Sequence, residues 1–281
     1  MKKLLIFCIL FGALTGQAQV FYRISGNGLT QDSYLFGTIH MLPKAEFKLG
    51  TAVQRAFRSC SALTMEVDID MSVSQQMALA QQAIFENGQT LESVMTPSDF
   101  TKLKRYCLDT LEWNTSKFER SIHLKPLFFS SLLVKESLHK MASFEQEFNK
   151  LAHKQNKKTG GLESIQEQLN IFNSMSMETQ VSMLQNDYAA GQKAYDELLQ
   201  LYLHEDLAGL YAAITAESAS YPDFNRIFLN ERNQNWIPLI AEQAKKEATF
   251  FAVGAGHLAG PEGVVALLRA QGFTVTALKQ N

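Results

Sequence analysis

Two strings in this chain, SYLFGTIH at Ser33–His40 and FFAVGAGH at Phe250–His257, share one device. Each is an apolar, strand-like run that breaks at a glycine and delivers a histidine three residues later, so that Gly37 matches Gly254 and His40 matches His257. A strand followed by glycine and a short turn sets a side chain at the carboxyl edge of an α/β sheet, where such sheets bind ligands. Two imidazoles delivered there can meet on one metal ion or one substrate. Glu66 adds a carboxylate. It ends the run Ala62–Val67 among apolar neighbours, where a charge is costly unless it meets a cation or a donor. The plain alternative is an ordinary edge residue beside Asp68 and Asp70. His123, His139, His153 and His204 have no such frame and read as surface or satisfied core residues. The two glycines read mechanically, as places for a turn or a close approach that a Cβ would obstruct.

These residues need elements to position them. Phe21–Ile24 reads as a strand, Gly26-Asn27-Gly28 as a turn and Ser33–Ile39 as a second strand. Leu49–Arg58 reads as a helix with Val53 and Phe57 on one face, and Ala62–Val67 as a third strand. That succession implies a right-handed parallel crossover. From about residue 71 to about residue 246 the pattern is helical, punctuated by Pro97, Pro126, Gly160-Gly161, Gly191 and Pro222. A stripe begins at Phe224, Ile227 and Phe228 and resumes at Ile237 and Ile240, with Pro238 expected to kink or restart the helix. The chain then returns to α/β, with Thr249–Val253 a strand, Pro261–Ala270 a helix and Phe273–Leu278 a closing strand. The fold class expected is α/β, a central mixed sheet built from both chain ends with a large helical insertion between. Ser33–Ile39 and Thr249–Val253 should then lie near each other in one sheet.

The chain has 281 residues and a formal net charge of −2. Lys2 and Lys3, the apolar run Leu4–Leu14 and Gly16-Gln17-Ala18 form a cleavable signal peptide, residues 1–18, which implies a secreted or periplasmic domain at 19–281. No later stretch offers about 20 uninterrupted apolar residues, so no membrane span is expected after cleavage. Loss of Lys2 and Lys3 makes the chain more acidic still, which argues against a nucleic-acid partner. Cys60 and Cys107 remain, and they can pair in an oxidising compartment only if the fold brings them together. There is no H-E-x-x-H helix, no G-x-S-x-G elbow and no P-loop.

YLFGTIHMLP, the strand ending in Glu66, GLESIQEQL at Gly161–Leu169, the ERN of Glu231–Asn233 and FFAVGAGHLAGPEGVVALLRAQGFTV together resemble the TraB/GumN family. That family is related to the Tiki metalloproteases and, more distantly, to erythromycin esterases and the ChaN haem-binding proteins. The resemblance covers essentially the whole mature chain. It implies a metal-dependent hydrolase, peptidase-like, acting on a peptide or small-molecule substrate. The divalent ion (Mn, Co or Zn) would be held by His40, His257 and Glu163, with Glu66 and Arg232 catalytic. Only the resemblance brings in the last pair of residues to be found. On its own Glu163 reads as an acid near a helix start, and Arg232 as one half of a surface ion pair. The chemistry implied is metal-assisted hydrolysis, with one carboxylate taking a proton from water and the guanidinium stabilising a developing oxyanion. The alternative is a non-catalytic haem- or metal-binding protein using the same cleft. The resemblance and the periodicity disagree at one place: the 224–228 stripe continues at Glu231, whereas the family motif turns Arg232 inward.

Overall fold

The computed structural model describes residues 19–137, 141–221 and 223–281. The signal peptide read at residues 1–18 lies outside the described residues, as does His139. Among the described residues eight strands follow in chain order: β1 (Phe21–Ser25), β2 (Ser33–Thr38), β3 (Leu42–Pro43), β4 (Ala62–Val67), β5 (Met141–Ala142), β6 (Lys158–Glu163), β7 (Thr249–Gly254) and β8 (Thr274–Ala277). Six of them form one sheet in the order β6-β4-β7-β2-β1-β8, and β3 pairs with β5 apart from it. The four strands β6, β4, β7 and β2 are mutually parallel, while β1 runs antiparallel to both β2 and β8. The sheet is therefore mixed, and the chain ends build its middle and one side.

Local chemistry accounts for this order. Gly26, Asn27 and Gly28 all take positive φ, 76°, 47° and 81°, which closes the β1–β2 hairpin. The helix Thr51–Ser59 buries Val53, Ala56 and Phe57 against the sheet and carries the crossover to β4. β2, β4 and β7 are buried runs of apolar residues, the pattern of parallel strands covered on both faces.

Three expectations need correction. The helical insertion contributes a strand, β6, with the sequence KTGGLE. Its two glycines and missing alternation hide it, because it is an edge strand held to β4 through its backbone. Glu163 therefore ends a strand and does not open a helix; the next helix is Ile165–Asn173 with Ser164 as its cap. Pro238 neither stops nor restarts its helix, which runs unbroken from Glu231 to Lys246. The proline is on the exposed face, where water can satisfy the carbonyl left without a donor.

Buried side chains gather in two clusters. One lies about the sheet and includes Phe36, Phe57, Phe148, Phe250 and Trp236. The other sits among the inserted helices, around Leu103, Trp113, Phe118 and Phe129. Cys60 belongs to the first and Cys107 to the second, and both are free thiols that burial pushes up to about 12.

Candidate active site

The parallel strands end at one edge, and four of the five candidate residues come from those ends. His40 follows β2 by two residues, Glu66 is the penultimate residue of β4, Glu163 is the last of β6, and His257 closes the short 3₁₀ turn Ala255–His257 after β7. The two histidine strings are not in step across the sheet. β2 and β7 are adjacent, but Thr38 pairs with Gly254 and Gly37 pairs with Val253. His257 consequently turns back into the protein and is buried, whereas the side chain of His40 stands at the mouth, 74 % exposed.

Both glycines are close-approach positions. A Cβ on Gly37 would lie 2.6 Å from Leu258 Cδ1 and 3.1 Å from Ala255 Cα, so the turn that carries His257 could not pack on β2. A Cβ on Gly254 would lie 3.1 Å from Glu66 Oε1, 3.6 Å from His257 Cδ2 and 3.9 Å from His40 Nε2. The carboxylate and both imidazoles therefore converge on the space in front of Gly254.

Arg232 fills the floor beside that space. Its Nε donates to Glu163 Oε2 at 3.0 Å and its Nη2 to Glu163 Oε1 at 2.6 Å and Glu66 Oε2 at 2.5 Å. Nη1 donates to the Phe228 carbonyl at 3.0 Å and to His257 Nε2 at 3.1 Å. All five guanidinium N–H groups are thereby engaged. An arginine can only donate, so His257 Nε2 accepts and its proton is on Nδ1, which donates to Asn233 Oδ1 at 2.7 Å. The other oxygen of Glu66 accepts the Gly254 N–H at 2.7 Å. Trp236 closes the back, its ring 4.8 Å from the Arg232 Cζ and 4.5 Å from the His257 ring.

Arg232 and Asn233 are buried while Glu231 and Gln234 are exposed. The 3.6-residue stripe puts Glu231 inside. A π turn over Arg226–Asn230, in which the Glu231 N–H bonds back to the Arg226 carbonyl, adds one residue and moves position 232 onto the buried face. The π turn, and not Pro238, resolves that disagreement.

Charge in the metal-free site follows from burial and neighbours. Burial works against the ionised Glu66, but His257, Arg232, His40 and the Gly254 N–H outweigh it and bring the carboxyl down to about 2. Burial drives His257 down to about 3, so its imidazole is neutral and its Nε2 lone pair can accept the Arg232 N–H. At neutral pH the charge on Glu66 is thus balanced chiefly by Arg232. His40 is raised to about 9 by its hydrogen bond to Glu145.

Sequence reasoning missed Glu145 and gave Asn233 no role of its own. Glu145 Oε1 accepts from His40 Nδ1 at 3.2 Å and from Thr38 Oγ1 at 2.8 Å, and Oε2 accepts from Ser143 Oγ at 2.7 Å. In sequence it is an unremarked acid in the first turn of a helix, Phe144–Lys154. Asn233 fixes the His257 tautomer and donates to the Glu262 carbonyl at 2.8 Å; its only signal was membership of the ERN string.

A divalent metal is implied for this site. Among the described residues no group of three or more His, Cys, Asp or Glu stands at ligand spacing. Of the expected ligands, His40 and His257 border the space before Gly254, while Glu163 is turned to Arg232 and also accepts from Gln168 Nε2 at 3.1 Å. The donor types suit a divalent ion in part. His40 turns Nε2 to the space before Gly254, and both imidazoles are oriented through Nδ1 by an oxygen, as metal-ligating histidines are, but the His257 Nε2 lone pair accepts from Arg232 and would have to be released before it could ligate. Glu66 supplies the anionic donor, and the absent Cβ of Gly254 leaves room.

The sequence profile of the TraB/PrgY/gumN family matches residues 20–277. The chain is also 22 % identical over 298 residues to the protein described as metalloprotease TIKI1 from Danio rerio. That alignment covers 86 % of this chain but 60 % of the relative, so the chain spans about three fifths of the protein it matches. No solved structure matches it. No helix among the described residues is long and apolar enough to cross a membrane.

Proposed function

The chain belongs to the TraB/PrgY/gumN family, and from that premise we propose that it is a metal-dependent hydrolase, peptidase-like in substrate. The observation that carries this reading is the convergence of Glu66, His257 and His40 on the space that the Gly254 side chain would otherwise fill. His40 and Glu66 would hold the ion, joined by His257 once Arg232 Nη1 gives up its Nε2. A carboxyl at about 2 suits a ligand better than a general base, which works best near the operating pH. Bound there, the ion supplies a Lewis acid and a water that ionises near neutral pH.

The rest of the chemistry belongs to the chain. Glu163 receives two parallel N–H bonds from Arg232 and enters the proposal as the anchor of that guanidinium, in place of the ligand role expected for it. Arg232 offers positive charge beside the reacting space, where an oxyanion on a substrate carbonyl would develop. Asn233 and Glu145 orient the two imidazoles, and His40 must release its proton before it ligates, so metal uptake liberates a proton. The leader at residues 1–18 supports export, and with it a secreted or periplasmic site of action. A non-catalytic metal or haem carrier would need ligands at the mouth but would leave the Glu163–Arg232 clamp without a task.

Paired carboxamide variants separate these roles. Glu66→Gln should cost both metal affinity, by roughly 10- to 100-fold, and turnover. Glu163→Gln should keep metal affinity within a few-fold while turnover falls, because only the clamp is loosened. Metal titration calorimetry beside a hydrolysis assay reads both. Loss of metal binding in Glu163→Gln with retention in Glu66→Gln would reverse the assignment.

A further inference from the structure

A cavity of about 500 Å³ opens beside the site and shares His40 with it. Its wall is otherwise mostly apolar, with Ile39 and Met41 on the loop that carries His40, Leu127 and Phe128 on the helix Pro126–Ser137, and Phe172 and Leu198 from two further helices. Tyr195 donates its hydroxyl to the Met41 carbonyl at 3.0 Å, so the wall is tied to the His40 loop. At the other end Phe172 packs on Phe228, ring centroids 5.6 Å apart, and the Phe228 carbonyl is held by Arg232. The cavity thus meets the reacting space at His40, and its Phe172 wall is linked through Phe228 to the residue that Arg232 holds.

One polar atom in the wall is unexplained. Ser130 is 6 % exposed and lines the cavity, yet its Oγ has no hydrogen-bond partner. A buried hydroxyl without a partner costs about 1–3 kcal/mol, and serines on helices usually bond back to a carbonyl one turn earlier. Ser131, its neighbour, does so to Leu127 at 3.0 Å. Ser130 is left over, set in apolar surroundings of a size that accepts a ring.

We propose that this cavity is the specificity pocket of the site and takes a large aromatic side chain of a peptide substrate beside the bond to be cut, with the Ser130 hydroxyl meeting a polar group on the ring. The proposal rests on the hydrolase reading. Tyrosine is preferred to phenylalanine there, since only tyrosine pairs the buried hydroxyl, and small or charged side chains are disfavoured.

The test uses one set of blocked peptides that differ at a single position: Tyr, Phe, Ala or Asp. Each is measured for binding to the chelator-stripped protein and for cleavage by the metal-loaded protein. Ser130→Ala should remove the tyrosine-over-phenylalanine preference, roughly threefold to tenfold, and leave Phe unchanged. Val134→Trp, at a rim position 42 % exposed, should weaken Tyr and Phe by roughly tenfold or more and leave Ala unchanged. If no peptide is cleaved but the binding order and its loss in Val134→Trp hold, the hydrolase reading falls and the pocket stands. Cleavage without side-chain preference, or preferences untouched by both variants, overturns the pocket and spares the hydrolase. Better binding of a fatty acid than of any peptide also overturns it.

Discussion

His257 is held neutral by burial beside Arg232, and the consequence is a stability that depends on acid. Its folded pKa of about 3 is below the ordinary 6.5, so the unfolded chain binds the extra proton first. The contribution is complete above pH 6.5 and is lost as pH falls from there toward 3. Glu66, at about 2 against an ordinary 4.5, adds a loss in the same direction once pH drops below 4.5. Between pH 6.5 and 4.5 the metal-free protein should lose stability progressively from His257, on the order of 1 kcal/mol per pH unit. His40 works the other way, its contribution fading as pH rises toward 9, but its exposure makes it small. Denaturant titrations in chelator at several pH values check this. His257→Asn should flatten the slope above pH 4.5, and an equally steep slope in that variant would assign the acid sensitivity elsewhere.

At the scale of elements, the π turn Arg226–Asn230 reconciles two stripes that ordinary helical phase sets apart. Upstream, Phe224 and Phe228 stack with centroids 4.3 Å apart; downstream, Arg232, Trp236 and Ile240 are buried. Deleting Asn230 restores regular phase and leaves the stripes about 100° out of register. The variant must surrender one of them. We expect lower stability with an intact upstream stripe and lost turnover, or the reverse. A deletion variant as stable and active as the parent would show that the extra residue is idle. The same element explains what the sequence could and could not reveal. The two histidine strings were legible because an apolar run, a glycine and a short turn are local features. Glu66 was legible as a charge in an apolar strand. Arg232 was not legible from periodicity, because a π turn has no composition of its own. β6 escaped because its pairing is carried by backbone groups beside glycines. Glu145 reaches Thr38 and His40 across more than 100 residues, a meeting only the folded chain makes.

Over the whole molecule, the site depends on a sheet assembled from both ends of the chain and stiffened by aromatic packing. Phe36 is fully buried and meets Phe21, Phe144, Phe148 and Phe250 with ring centroids between 5.4 and 6.2 Å. Phe36→Ala should cost about 3–5 kcal/mol in equilibrium unfolding; a loss under about 1 kcal/mol would mean that this cluster does not hold β2 to β7. By contrast, the histidines hang from the sheet's edge, and their chemistry should be removable without dismantling it. The most direct measurement is therefore cleavage of a peptide library by chelator-stripped protein, before and after one equivalent of Mn²⁺, Co²⁺ or Zn²⁺ is restored. The expected result is no cleavage in chelator, cleavage with at least one ion, and none with any ion in a His40→Ala, His257→Ala variant that is still folded. Cleavage indifferent to chelator, or a folded wild-type protein inert with every ion, would contradict a metal-dependent peptidase.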